Sequence, residues 1–181
     1  NGDTLRTCHY ANGLLNGTMT EFYEGNNVRV KSMFKDNKCE GIYTEYFKNG
    51  HIAETGSYLN GKRTGDWTAF YPTSELFSKG TFKDGLFDGE WSIFYNTGNL
   101  KQTGSYKVGK SSGQWFFFHP NGNVHKYGQF INDKEFGPWI VFKDNGEMEG
   151  VLLFVNGNAT MGAYYQNGRL IPMIGQEQLT D

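Results

Sequence analysis

Hydrophobic residues recur along this chain in short alternating runs, and turn-forming residues separate the runs at a fixed period. The glycines that open successive units stand 24 residues apart, at Gly17, Gly41, Gly65, Gly89, Gly113 and Gly137. A period in this range indicates a repeat array. The runs are rich in aromatic and β-branched residues and too short for helices of about ten residues or more, so they predict strands.

The sequence of each unit predicts one β-hairpin. When the units are aligned, one shared position is aromatic and another is glycine; we call these positions the aromatic column and the glycine column. The aromatic column, two residues after the opening glycine, holds Trp67, Trp91, Trp115 and Trp139. The glycine column, placed in the middle of the following strand, holds Gly56, Gly80, Gly104 and Gly128. If Tyr71 lies opposite Leu76, the same register sets Trp67 opposite Gly80. We therefore expect each indole to lie over a residue without a side chain.

The predicted fold is all-β, an elongated and twisted antiparallel β-meander. Residues 1–170 form a single array, with a half unit in 1–16 and units starting at 17, 41, 65, 89, 113 and 137. The last unit, 159–170, is degenerate, because Leu152 replaces the mid-strand glycine and Ala159 replaces the opening glycine. Terminal repeats often deviate in this way. Residues 171–181 lack the pattern and are predicted to be a C-terminal tail or cap.

The complete unit is Gly-x-Trp-x-x-Phe-Tyr-x-x-Gly-x-Leu-x-x-x-Gly-x-Tyr-x-x-Gly-Lys-x-x-Gly, and the copy from Gly89 to Gly113 matches it almost column by column. This unit resembles the bacterial variant of the MORN repeat over roughly residues 2–170. The resemblance implies a scaffold or protein-binding surface without catalytic residues. Similar bacterial proteins are labelled antitoxin components.

Charge and hydropathy narrow the classes of partner. The formal net charge is −2, and lysines are scattered without a run of like charges, which argues against nucleic acid as a partner. No apolar run approaches the roughly 18–20 residues that span a bilayer, so we expect no direct membrane insertion. Hydrophobic residues make up 37% of the chain, and the aromatic columns are expected to supply the core.

Candidate catalytic chemistry is sparse. His119 and His125 flank one turn, but the simple register directs their side chains to opposite faces of the sheet. Glu45 and Glu54 lie opposite each other and could form a glycosidase-like pair, although a solvated strand face is the simpler interpretation. No motif for a metal, a cofactor or a nucleophile is present, so we expect a protein that is not an enzyme and binds neither metal nor cofactor.

The chain has two cysteines, Cys8 and Cys39. They either form one disulfide, in an oxidising compartment, or remain two free thiols. The turn-rich β design and a beginning rich in Asn, Gly and Thr are typical of a periplasmic or cell-surface protein, with the cytoplasm as the alternative.

Four phenylalanines fall outside the shared columns: Phe77, Phe87, Phe116 and Phe117. Because the repeat does not require them, they are the candidates for contact with a partner. The favoured function is a non-enzymatic protein-interaction or scaffold module that docks onto another protein, which could be membrane-associated, in a cell-envelope assembly. The alternatives are a carbohydrate- or cell-wall-binding domain and an antitoxin-like inhibitor of a toxin.

Overall fold

The computed structural model describes residues 5–173, which form one open antiparallel sheet of 15 strands in sequence order. The predicted all-β meander is confirmed. The strands are β1 (Arg6–Ala11), β2 (Leu14–Phe22), β3 (Val28–Lys35), β4 (Lys38–Tyr46), β5 (Ile52–Leu59), β6 (Lys62–Phe70), β7 (Leu76–Lys83), β8 (Leu86–Phe94), β9 (Leu100–Lys107), β10 (Lys110–Phe118), β11 (Val124–Ile131), β12 (Lys134–Phe142), β13 (Met148–Val155), β14 (Asn158–Gln166) and β15 (Arg169–Pro172).

Tight two-residue turns join each unit to the next, and both turn residues have positive φ. In the turn Asn60-Gly61 the φ angles are 52° and 80°, and in Asp84-Gly85 they are 52° and 84°. Such turns match the right-handed twist of the strands, and Asn, Asp and Gly tolerate this conformation. Val108 occupies the same position with φ of 52°, although its branched side chain makes that conformation costly.

Two bulges recur in nearly every unit and set the register. The first bulge lies at the opening glycine and adds two residues to its strand. From the pair Ser112–Ser105 to the pair Phe116–Thr103, for example, β10 advances by four residues and β9 by only two. The opening glycine itself has positive φ, 75° at Gly113, which explains why the column holds glycine. Within residues 5–173, every unit except the last therefore has a bulge of two residues at its opening glycine.

The second bulge adds one residue after each mid-unit turn. Phe70 pairs with Leu76 while Ala69 pairs with Ser78, so Phe77 is the extra residue. The expected Tyr71–Leu76 pairing is therefore wrong by one position. The pairing of Trp67 with Gly80 nevertheless holds, because it lies beyond the bulge.

The core is built by indole rings that lie over glycines, as predicted, but on a different strand from the one expected. Gly80 lies between Trp67 on β6 and Trp91 on β8. A Cβ added at Gly80 would come 2.2 Å from Cδ2 of Trp91, so the ring of the following unit covers this glycine. Three further pairs repeat the arrangement: Trp67 over Gly56, Trp115 over Gly104 and Trp139 over Gly128.

Side-chain size is complementary at this position along the whole array. Ser32 occupies the glycine column in one unit, and the residue opposite it is Tyr43, which is smaller than the tryptophan of the other units. Cys8 occupies the column in the first unit, and the residue opposite it is Met19, which is again smaller than tryptophan. At the other end Leu152 faces Gly162, so the large and the small residue have exchanged strands. Close packing requires the two volumes to be matched, and each unit satisfies this with its own pair.

The last unit loses the wide bulge because it lacks the opening glycine. Leu153 pairs with Met161 and Phe154 with Ala159, a shift of only one residue. The final strand, β15, continues to Pro172, which pairs with Ala163. Ile171 and Pro172, assigned to the tail from the sequence, thus belong to the sheet, and the rest of the predicted tail from 174 onward lies outside the described residues.

Candidate functional site

The two faces of the sheet differ, and one of them carries the tryptophans. We call it the tryptophan face; it also carries the residues two positions after each tryptophan, since side chains alternate along a strand. The contact between Trp115 and Phe117, whose ring centroids are 6.2 Å apart, illustrates this spacing. The glycine column lies on the same face. Three of the four tryptophans, Trp67, Trp115 and Trp139, are only 3% exposed.

The first units place a charged network on the tryptophan face. Arg29 forms a salt bridge with Glu21, and its Nη1 lies 3.6 Å from Oε1 of Glu45. Arg29 is the extra residue of its bulge, which turns it toward the same face as its neighbour Val30. One arginine thus joins two strand pairs.

Glu45 and Glu54 are direct partners across β4 and β5, as predicted. Each carboxylate is held by an arginine: Glu54 accepts a hydrogen bond of 2.6 Å from Nη2 of Arg63, and Glu45 faces Arg29. Burial, together with the charge of Glu45, raises the pKa of the neighbouring Tyr43 hydroxyl. Both carboxylates of this pair therefore already have an arginine partner on the same face.

Between β7 and β10 the tryptophan face carries a mainly apolar groove of about 210 Å³. The lining residues are Phe77, Ser78, Phe87, Trp91, Ile93, Gln102, Tyr106 and Trp115. Phe77 reaches it because the bulge turns it to the same side as Ser78, and its ring packs edge-on against Tyr71 at 5.2 Å. Phe77 remains 40% exposed.

Phe87 and Phe117 also lie on the tryptophan face, and Phe116 does not. Phe87 is 38% exposed and packs against Phe82 and Trp91 at centroid distances of 4.7 and 4.6 Å. Phe117 stacks beside Trp115, which lines the groove. Phe116 points to the opposite face and contacts Tyr127 at 5.5 Å.

The structure therefore places three of the four phenylalanines predicted from the sequence on the tryptophan face, and two of them, Phe77 and Phe87, line the groove. Ile93 and Gln102, which line the groove on adjacent strands, were not among the residues predicted from the sequence. Ile93 could have been found from its position two residues after Trp91. Gln102 becomes its partner through the register, since the two residues pair directly.

His119 and His125 lie on the same face, contrary to the sequence prediction. Their ring centroids are 4.5 Å apart. The reason is the bulge: Phe118 pairs with Val124 and Phe117 with Lys126, so His125 is an extra residue. Burial, His119 and Lys126 lower the pKa of His125. His119 Nε2 is 2.9 Å from the carbonyl oxygen of Phe142 and donates to it.

Cys8 and Cys39 are free thiols, and the alternative of a disulfide does not hold. They lie on β1 and β4, which are separated by two strands. Neighbouring strands are about 4.8 Å apart, whereas a disulfide requires Cα atoms within about 7 Å. Burial raises the pKa of the Cys39 thiol, which favours the unreactive protonated form.

Neither a metal site nor a membrane-spanning helix is found in residues 5–173. No group of three or more His, Cys, Asp or Glu side chains in this range could hold a metal ion. The same range contains no helix long and apolar enough to cross a membrane.

Fold and packing define a β-meander repeat protein in which each hairpin is completed by its neighbours. The model of the MORN repeat variant matches residues 15–36, 40–60, 63–84, 87–107 and 112–132. These matches cover more than half of the chain, which therefore belongs to the MORN repeat variant family. MORN repeats are interaction modules for proteins or membranes.

Comparison with curated proteins gives no match. Among solved structures, the chain is similar to one titled "Crystal structure of GtfA/B complex bound to UDP and GlcNAc". That match has 9% sequence identity and a TM-score of 0.27, and it covers 63% of this chain. It spans only 22% of the other chain. A likeness at this TM-score supports no conclusion about function.

Proposed function

We propose that this protein is a non-enzymatic module that docks a partner protein on the apolar part of its tryptophan face. The observation that carries the proposal is the groove formed by Phe77, Phe87 and Ile93. The two phenylalanines are 40% and 38% exposed, although the repeat does not need them. Partly exposed aromatic side chains on a rigid support are the usual anchors of protein interfaces.

The surrounding chemistry supports binding rather than catalysis. Arg29 and Arg63 occupy the carboxylates of Glu21, Glu45 and Glu54 in ion pairs, an arrangement typical of a structural charge network. Burial of the tryptophans also weakens the carbohydrate alternative, because sugar stacking needs an exposed ring. Trp67, Trp115 and Trp139 form the core instead.

The experiment compares proteins that co-purify with the immobilised chain from extracts of the cells that produce it. The groove variant carries Phe77→Ser and Phe87→Ser. The control variant carries Ile42→Ser and Leu153→Ser, two exposed apolar residues that pair with Ser57 and Pro138 on the opposite face.

We expect a protein that is retained by the wild-type chain and by the control but lost with the groove variant. Circular dichroism must show that both variants keep the β structure. Equal retention by the groove variant, or no retained protein with any chain, would contradict the proposal.

A further inference from the structure

On the tryptophan face, Lys101 lies beside the groove and Lys126 lies one unit further along. We propose that the groove binds a segment of its partner in which apolar side chains are flanked by carboxylates. This inference rests on the proposed function and specifies the chemistry of the partner. The occupant is thus an acidic, apolar peptide segment.

Two lysines provide the positive charge. Lys101 is the extra residue of its bulge and directly precedes Gln102, which lines the groove. Its Nζ lies 5.7 Å from the centroid of Tyr95. Lys126 lies one unit further along, with Nζ 5.3 Å from the centroid of Phe117 and 5.8 Å from that of Trp139. Both ammonium groups are thus held against aromatic rings at the apolar surface.

The acidic residues of the same units do not offset this charge on the tryptophan face. Asp66 pairs with Thr81 and Glu90 with Ser105, and both precede a tryptophan by one residue, so they point to the opposite face. The carboxylate of Glu54, which does lie on the tryptophan face, is held by Arg63. Glu149, in the next unit, lies close to His125, which directly precedes Lys126, so its carboxylate offsets the positive charge at Lys126 more than at Lys101.

This separation of charge determines which apolar segment is accepted. Burial of aromatic and aliphatic side chains in the groove would supply most of the affinity. The lysines would attract carboxylates and repel a basic segment, which affects the choice of partner more than the total affinity. Their aliphatic stems can lie along the apolar rings while the ammonium groups contact the partner.

The test uses two fluorescein-labelled synthetic peptides with identical leucine and phenylalanine positions. One peptide carries glutamate at every remaining position, and its twin carries lysine there. Binding to the full chain is measured by fluorescence anisotropy at low and at high salt. The charge variant is Lys101→Glu with Lys126→Glu.

The control variant is Lys31→Glu with Lys79→Glu, which changes the net charge equally. Lys31 pairs with Thr44 and Lys79 pairs with Thr68. Each threonine directly follows a residue of the aromatic column, so both lysines lie on the face opposite the tryptophans. Because Lys126 contacts two rings, the single variant Lys101→Glu is measured as well. Lys101 is exposed and its replacement should leave the fold intact.

We expect the glutamate peptide to bind and the lysine twin to bind at least about tenfold more weakly. The charge variant should lose about tenfold in affinity for the glutamate peptide, the single variant a smaller part, and the control variant nothing. High salt should weaken binding of the glutamate peptide.

If both peptides bind equally, and the Phe77→Ser, Phe87→Ser variant binds neither, the inferred charge selectivity is wrong. The proposed docking function would then still be supported. Failure of both peptides to bind would also overturn the inference, and the co-purification experiment would then judge the docking function separately. An unchanged affinity in the charge variant would overturn the assignment of Lys101 and Lys126.

Discussion

Adding one methyl group at Gly104 tests the packing on which the array is built. A Cβ at this position would lie 2.1, 2.3 and 2.4 Å from Cδ2, Cε2 and Cγ of Trp115. Carbon atoms in contact are about 3.5–4.0 Å apart, so the indole would have to retreat by more than about 1 Å. Trp115 is 3% exposed, and Tyr106 and Phe130 pack edge-on against it at 5.1 and 5.8 Å.

The expected cost of Gly104→Ala follows from these contacts. Forcing extra volume into a packed core costs about 1–3 kcal/mol, and the enclosed indole places this site at the upper end. Alanine is favoured over glycine in a strand by about 0.5–1 kcal/mol. We therefore expect the free energy of unfolding to fall by about 2 kcal/mol, measured from denaturant unfolding followed by tryptophan fluorescence.

Two further variants separate steric overlap from other effects. Gly113→Ala is the matched control: it has φ of 75° and nothing within 4 Å of an added Cβ, so it should cost only about 1 kcal/mol of backbone strain. The double variant Gly104→Ser with Trp115→Tyr copies the natural pair Ser32–Tyr43. It should be at least about 1 kcal/mol more stable than the sum of its single variants implies.

A Gly104→Ala variant as stable as the wild-type chain, or no less stable than Gly113→Ala, would contradict a steric overlap between the added Cβ and Trp115. Additive effects of Gly104→Ser and Trp115→Tyr would also show that the glycine and the indole do not share one space.

Three other changes test separate features. Val108→Asn should raise the free energy of unfolding by about 1 kcal/mol, because asparagine tolerates the φ of 52° that valine resists; a lower denaturant midpoint would contradict this. The pKa of His125 lies below its ordinary value of 6.5, so the folded chain binds a proton less readily than the unfolded chain. Stability should therefore be complete above about pH 6.5 and fall as the pH drops through the folded pKa, and His125→Gln should abolish this decrease in pH-dependent urea unfolding. Cys39 should react with a thiol reagent more slowly than an unfolded peptide thiol at the same pH, because its pKa is raised; equal rates would refute the burial argument.

The fold was largely predictable because its signals are local and repeated. The spacing from Gly89 to Gly113 defines the period, and Asn60-Gly61 is a two-residue turn that chain chemistry alone predicts. The role of the tryptophans as core was also predictable, because a hairpin needs something large to cover a bare glycine.

The candidate site was only partly predictable because bulges displace side chains between the faces. Phe77 and His125 are extra residues in their strands, and a register counted from one pairing cannot detect an added residue. The prediction for the two histidines failed for this reason. Phe116 and Phe117 are adjacent in sequence, yet strand alternation divides them between the two faces, and only Phe117 joins the tryptophan face.

By itself, the sequence determined the period, the strands, the turns and the presence of one tryptophan column and one glycine column. Each of these depends on residues within one or two repeats. The tertiary structure decided that Trp91, and not Trp67, covers Gly80. It also decided that lysines and phenylalanines from different units meet on one face. These features depend on how neighbouring hairpins are aligned, because each strand pairs with two others. The bulges in the strands change the register of each pairing and so decide which side chains come into contact.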